Sequence, residues 1–220
     1  MRIVIPSSIA EAAKEKVFLA GGTQIMRNKG ESDVLPDVVA DISAVVPKEI
    51  SKEGESIIIG AMATFNDLIE SLLVPSYLKE SAAYMASWEL RNSATIGGNI
   101  ASELDSSYLL PSLIASDAEL LVWDKGEKRI KLVDYLASDD EFLIISVIVR
   151  NMKVQQKCYR RASHMHSVIN YARAVNEAVA VKNEGIFINE DDITFSDDEY
   201  GSAEYKRYLV NLERQKGGEE

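Results

Sequence analysis

Two short stretches of this 220-residue chain carry residue types that could hold an anion. The first is Gly21-Gly22-Thr23-Gln24, which follows the apolar run Val17-Phe18-Leu19-Ala20. The second is Arg91-Asn92-Ser93-Ala94-Thr95-Ile96-Gly97-Gly98-Asn99-Ile100. Adjacent glycines reach backbone conformations closed to residues with a side chain, and they let main-chain N–H groups approach an anion closely. Thr23, Gln24, Thr95 and Asn99 add hydroxyl and amide donors. A lone Gly-Gly pair is more simply a tight turn between two elements. The signal is that there are two such loops, and a pair suits a diphosphate better than a single phosphate. The spacing around Gly21 and Gly22 does not follow G-x-G-x-x-G, so the usual Rossmann arrangement is rejected.

Composition narrows the ligand and partner classes. A formal net charge of −11 argues against a nucleic-acid or anionic-membrane surface, because both require a basic face. A diphosphate would therefore be held against an unfavourable overall field, by backbone dipoles and a few local cations such as Arg27, Lys29 or Arg91. Cys158 is the only cysteine, so the chain forms no internal disulfide and cannot by itself ligate an iron–sulfur cluster through thiolates. An intracellular reducing compartment fits. The N-terminal apolar run is too short for a signal peptide and no stretch approaches the ~20 apolar residues of a membrane helix, so a soluble cytoplasmic protein is expected.

The elements that must position the loops follow from patterning. Residues 3–5 form a short strand, Ser8-Ile9-Ala10-Glu11 opens a helix through about residue 16, and 17–20 is a buried strand that delivers the chain to Gly21. That order puts the loop at the carboxyl end of a strand, where open α/β sheets bind ligands. Residues 38–42 and 56–60 read as further strands, the latter ending in Gly60-Ala61. Thr64 and Asp67 cap a helix with Leu68, Ile69 and Leu72 on one face, stopped by Pro75. Residues 77–88 continue helically into the second loop, and 108–115 form an apolar helix behind it. Lys125-Gly126 joins a hairpin of residues 119–123 and 128–132. Residues 142–149 are the most apolar strand. Residues 175–181, 186–188 and 193–196 predict a small antiparallel sheet, closed by a polar helix near 203–214, with a fraying tail beyond it.

Ala20-Gly21-Gly22-Thr23-Gln24 and the Arg91 to Ile100 stretch resemble the two phosphate-binding segments of the FAD-binding domain of molybdenum hydroxylases, the family of xanthine and carbon monoxide dehydrogenases. The similarity extends to Ile59-Gly60-Ala61 with Thr64, to Leu109-Leu110-Pro111 and to Tyr159-Arg160-Arg161-Ala162-Ser163, and it weakens after about residue 180. It implies an α+β fold with two α/β-type FAD-binding units, 1–55 and 56–160, and a shortened C-terminal antiparallel sheet plus helix over 161–220. It also implies FAD as cofactor, held by Ala20, Gly21, Gly22, Thr23 and Gln24 from the first unit and by Thr95, Ile96, Gly97, Gly98 and Asn99 from the second. Asn99 could equally brace its own loop. Arg160 falls where the family carries a lysine near the flavin, or is a surface arginine. Leu143 is a cofactor contact or core packing.

Two departures stand out. Leu104-Asp105 and Tyr108 replace the family's Ser-Pro pair and the aspartate before Leu-Leu-Pro, so either Asp105 supplies the carboxylate from a different position or the contact is absent. Relatives also carry a longer C-terminal region. The resemblance implies a FAD-dependent electron-transfer subunit working with an iron–sulfur subunit and a molybdenum-cofactor subunit, with NAD or another acceptor receiving electrons. The alternatives are a degenerate flavin domain kept for assembly or regulation, and a free-standing reductase.

The remaining chemistry-bearing residues are weaker. His164 and His166 lack a third ligand nearby, and residues 191–199 read as a solvated acidic turn without calcium-loop spacing. There is no Ser/His/Asp or Cys/His arrangement in convincing context and no Walker loop, so redox chemistry would belong to the cofactor.

Overall fold

The computed structural model describes residues 1–217 apart from 33–34, 86, 141 and 163–164, with only the backbone at 29 and 31–32. His164 lies outside the described residues, as do the side chain of Lys29 and the last three residues. The first 41 residues run β1 (Arg2–Val4), α1 (Ile9–Ala12), β2 (Phe18–Leu19), α2 (Thr23–Ser32) and β3 (Val38–Asp41). β1 and β2 both lie parallel against β3, giving a three-stranded sheet of order β1-β3-β2. Ser8 caps α1 by accepting the Glu11 N–H, and the Glu11 carboxylate in turn accepts from Ser7 N–H. The helix is only one turn long.

The middle of the chain runs β4 (Ile50–Glu53), β5 (Ser56–Gly60), then five helices, α3 (Phe65–Glu70), α4 (Ser76–Ala83), α5 (Trp88–Ser93), α6 (Ile96–Ala101) and α7 (Leu110–Ala115). It ends with β6 (Glu119–Trp123), β7 (Glu127–Lys131), α8 (Leu132–Leu136) and β8 (Leu143–Arg150). The strands make an antiparallel sheet of order β4-β5-β8-β6-β7. β8 is central, and seven of its eight residues are buried, which is why it reads as a continuous apolar run. The hairpin at Lys125-Gly126 forms as its turn signal predicts, and Thr64 with Asp67 completes a capping box on α3. Leu72, expected on the buried face of that helix, is 97% exposed beyond its end. The helical stretch expected over 77–88 is two helices, and Ser87 starts the second by capping it.

The last part comprises β9 (Gln155–Arg160), β10 (Ser167–Arg173), β11 (Glu177–Val181), β12 (Gly185–Ile188) and α9 (Ala203–Lys216). The sheet order is β12-β11-β10-β9, antiparallel throughout. Residues 193–196 do not add a strand: Ile193 and Phe195 instead pack with Leu209 and Val210 of α9 over the sheet. Strand pairing crosses the expected unit limits. β4 falls within 1–55 yet pairs with β5, and β9 falls within 56–160 yet pairs with β10. No helix among the described residues is long and apolar enough to cross a membrane.

Polar contacts fix the last sheet to the helices. The Gln156 side-chain carbonyl accepts from Ser81 Oγ at 2.8 Å and Ser112 Oγ at 2.7 Å, and its Nε2 donates to the Tyr77 carbonyl at 2.9 Å. Asn170 Nδ2 donates to the Ser107 carbonyl at 2.9 Å. α9 is held by Lys206, fully buried, whose Nζ lies 2.7 Å from Glu184 Oε1, 2.9 Å from Asp198 Oδ2 and 3.0 Å from the Ser196 carbonyl. The turn near residue 198 is thus partly an interior ion-pair site and not merely a solvated acidic segment. Lys206→Met is expected to lower stability by about 3–5 kcal/mol, because it strands two carboxylates beside a sealed pocket; urea denaturation measures it.

Burial works against ionisation of Asp198, but Lys206 and the N–H groups of Tyr200 and Gly201 outweigh it and hold its pKa below the ordinary 3.8. A depressed carboxylate contributes stability that is complete above its unfolded pKa and is lost as pH falls through the folded value. The Lys206→Met deficit should therefore shrink in acid below about pH 4.

Candidate functional site

The first glycine turn is built by close approach. A Cβ at Gly21 would sit 1.7 Å from the Ser93 carbonyl oxygen, so only glycine lets the end of β2 touch the connection between α5 and α6. Gly22 follows with φ +69°, the left-handed conformation that turns the chain into α2. The first bond closing the helix runs from Met26 N–H to the Gly22 carbonyl at 2.9 Å. The N–H groups of Thr23, Gln24 and Ile25 therefore have no partner within the helix and carry the positive end of its dipole. All three residues line one cavity. The Gln24 side chain is turned along the helix, donating to Asn28 at 2.9 Å.

The second glycine pair is not an open loop but the first turn of α6. Thr95 is its N-cap, with Oγ1 accepting the Gly98 N–H at 3.1 Å. Ile96 N–H donates to the Ala63 carbonyl, Gly97 N–H to the Ala61 carbonyl and Asn99 N–H to the Thr95 carbonyl, each at 2.9 Å. The expectation that residues 95–99 offer a row of vacant N–H groups thus meets donors already bonded within the fold. Gly97 is small for a packing reason: an added Cβ would lie 2.7 Å from the Ala61 Cβ. This turn gives the cavity a smooth, close wall plus two side-chain groups. The Thr95 hydroxyl accepts from Gly98 and keeps its own proton to donate. Asn99 braces its surroundings, its Oδ1 accepting from Ser107 Oγ at 2.7 Å, while its NH2 makes no hydrogen bond to a described residue.

The two turns face each other across a cavity of about 330 Å³. Ala20, Gly21, Gly22, Thr23 and Gln24 line one wall, and Thr95, Gly97, Gly98 and Asn99 line the other. Leu143, 2% exposed at the start of β8, contributes with Phe142 and Ile144 and so serves both core and cavity. Met85, Leu104 and Lys16 also line it, and sequence reasoning singled out none of these as a cavity contact. Among the described residues, no carboxylate belongs to the lining, and Lys16 is the one charged side chain in it. Arg27 and Arg91 are not among the lining residues. Helix N–H groups without an intrahelical partner, side-chain donors and a wall with no carboxylate among its described residues fit the diphosphate of a dinucleotide.

Three of the expected residues lie elsewhere. Ile96 is fully buried in the core. The Asp105 carboxylate accepts from Lys182 Nζ at 3.0 Å and from Asn183 N–H at 2.7 Å, tying the segment after α6 to the turn after β11. Arg160 ends β9 with Nη1 donating to the Tyr84 carbonyl at 2.9 Å and its guanidinium 5.7 Å from the centre of the Tyr84 ring. Tyr108, the second departure from the family pattern, packs near Tyr84, ring centres 6.3 Å apart. Burial pushes up the pKa values of both tyrosines and raises the nearby Cys158 thiol to about 11, so this cysteine stays protonated and unreactive near neutrality.

The pairing of turns decides the family when set beside known proteins. The family model of the FAD binding domain in molybdopterin dehydrogenase matches residues 2–151, which hold both turns and the lining residues Phe142, Leu143 and Ile144. The chain belongs to that family. The uncharacterized protein YgfM of Escherichia coli strain K12 is 29% identical over 153 residues, 66% of this chain and 58% of that protein. The carbon monoxide dehydrogenase medium chain of Hydrogenophaga pseudoflava is 34% identical over 107 residues, 44% of this chain and 37% of that one. The chain therefore spans well under two-thirds of the length of these relatives. In fold, the crystal structure of quinoline 2-oxidoreductase from Pseudomonas putida 86 superposes with a TM-score of 0.82 at 18% identity, covering 97% of this chain and 94% of that one. The likeness in fold to that structure thus extends past residue 151, through the last sheet and α9.

Proposed function

We propose that this chain is the FAD-binding subunit of a multi-subunit molybdenum hydroxylase. The observation that carries the reading is the cavity between two glycine turns, with the open N-terminus of α2 on one wall, the Thr95 and Asn99 side chains on the other, and no carboxylate among the described lining residues. In this reading the N–H groups of Thr23, Gln24 and Ile25 hold the diphosphate, and Thr95 Oγ donates from across the cavity. Leu143, Phe142 and Met85 exclude water beside it. Bound FAD would supply two-electron redox chemistry that these side chains lack. Electrons would arrive from an iron–sulfur subunit that draws on a molybdenum-cofactor subunit, and would leave to NAD or another acceptor. The partners are required because one cysteine cannot hold a cluster. We place the three structural units at the sheets and not at the limits 1–55, 56–160 and 161–220.

Arg160 has no direct part in this reading, since Tyr84 holds it outside the cavity. A second reading, a flavin domain kept for assembly, is favoured by one observation: the N–H groups of Ile96, Gly97, Gly98 and Asn99 are already bonded.

The division of labour is tested with the isolated, FAD-loaded chain. Dithionite should bleach its flavin band, whereas purines, aldehydes and N-heterocycles should leave it unchanged over hours. Bleaching by any such substrate alone would contradict the reading. Rapid turnover of NADH by the chain alone would point to a free-standing reductase.

A further inference from the structure

We infer that Lys16 supplies the positive charge that draws the dianionic diphosphate into the cavity; this rests on the proposed FAD reading. Lys16 is the only charged residue in the lining among the described residues, and it is solvent-exposed, with no ion pair to a described residue. It lies in the connection between α1 and β2, five residues before Gly21, so its Cα is at most ~17 Å from the first glycine turn along an extended path. This leaves the ammonium within about one Debye length of the N-terminus of α2 at low salt. The rest of the molecule works against an anion, with a net charge of −11, and the cations nearest in sequence to the two turns, Arg27 and Arg91, are outside the lining. A single cation inside the cavity then governs the local potential more than the distant excess of acids, because screening weakens the latter.

Lys14 provides the contrast that makes the inference testable. It is also exposed, carries the same charge two residues earlier, and is not in the lining. Flavin fluorescence titrations would compare the unaltered protein, Lys16→Gln and Lys14→Gln at about 20 mM and about 500 mM salt. Lys16→Gln is expected to raise the Kd for FAD about tenfold at the lower salt and about twofold at the higher, with Lys14→Gln within about twofold throughout. Riboflavin, which carries no phosphate, serves as a neutral probe whose affinity the substitution should leave unchanged. Equal effects of the two substitutions, or a Lys16→Gln effect independent of salt, would overturn the inference while leaving the FAD reading in place. Failure of the unaltered protein to bind FAD would overturn both.

Discussion

Gly98→Asp should remove FAD binding while leaving the fold in place. Gly98 is the third residue of α6, where an acidic side chain suits the helix dipole and can return a hydrogen bond to the N-cap. An added Cβ would meet only Thr95 Oγ1 at 2.9 Å, which a small shift relieves, and the Ala20 Cβ at 3.9 Å. That second distance places the new carboxylate in the narrow space between the two turns. Repulsion of a diphosphate at ~5 Å, together with displacement of Thr95 as a donor, should cost about 4 kcal/mol or more, roughly a thousandfold in Kd. Circular dichroism and thermal unfolding of the apoprotein should stay close to the unaltered protein. Stoichiometric FAD on Gly98→Asp would remove the second turn from the site.

Gly21→Ala should act in the opposite order, on the fold first. The added carbon would be 1.7 Å from the Ser93 carbonyl oxygen and 2.6 Å from its carbon, both backbone atoms that cannot rotate away. The end of β2 and the connection between α5 and α6 must separate, widening the cavity and loosening the contact between the first two sheets' units. A loss of about 3 kcal/mol is expected, seen as a fall in Tm of roughly 6–12 °C for a chain of this size, and FAD binding should disappear with it. Gly126→Ala is the control: it has open space around the added carbon, so Tm should hold. If Gly21→Ala matched that control, the close approach of the two turns would not be a feature of the protein in solution.

Local signals were the legible part of this sequence. Caps at Ser8 and Thr64, the Lys125-Gly126 turn and the apolar run of β8 each depend on a few neighbouring residues, and each forms as expected. β10 was not legible because its residues are buried from Ser167 to Ala172 with no alternation, and Ser167 and Asn170 interrupt the apolar pattern. Asn170 Nδ2 donates to the Ser107 carbonyl and Ser167 Oγ, and the first of these partners is supplied by tertiary structure. Residues 193–196 failed in the reverse way: their alternation serves packing under α9, without a neighbouring strand.

The site divides along the same line. Gly21-Gly22 and Gly97-Gly98 look alike in sequence because a missing Cβ serves an anion, a turn or a packed wall equally well. Only the hydrogen bonds show that the first pair opens onto free helix N–H groups while the second is closed against Ala61 and Thr95. Asp105 could not be placed from sequence either, since its partners Lys182 and Asn183 are more than seventy residues away. Lys16 looks no different from Lys14 until the cavity is seen.

The most direct measurement is a titration of the purified, flavin-free chain with FAD, read by quenching of flavin fluorescence and by isothermal calorimetry. One FAD per chain with a Kd of about 1 μM or tighter, competed by ADP and not by adenosine, is the expected result, because the diphosphate is the group the two turns are arranged to hold. No saturable binding, or binding competed equally by adenosine and ADP, would contradict the account.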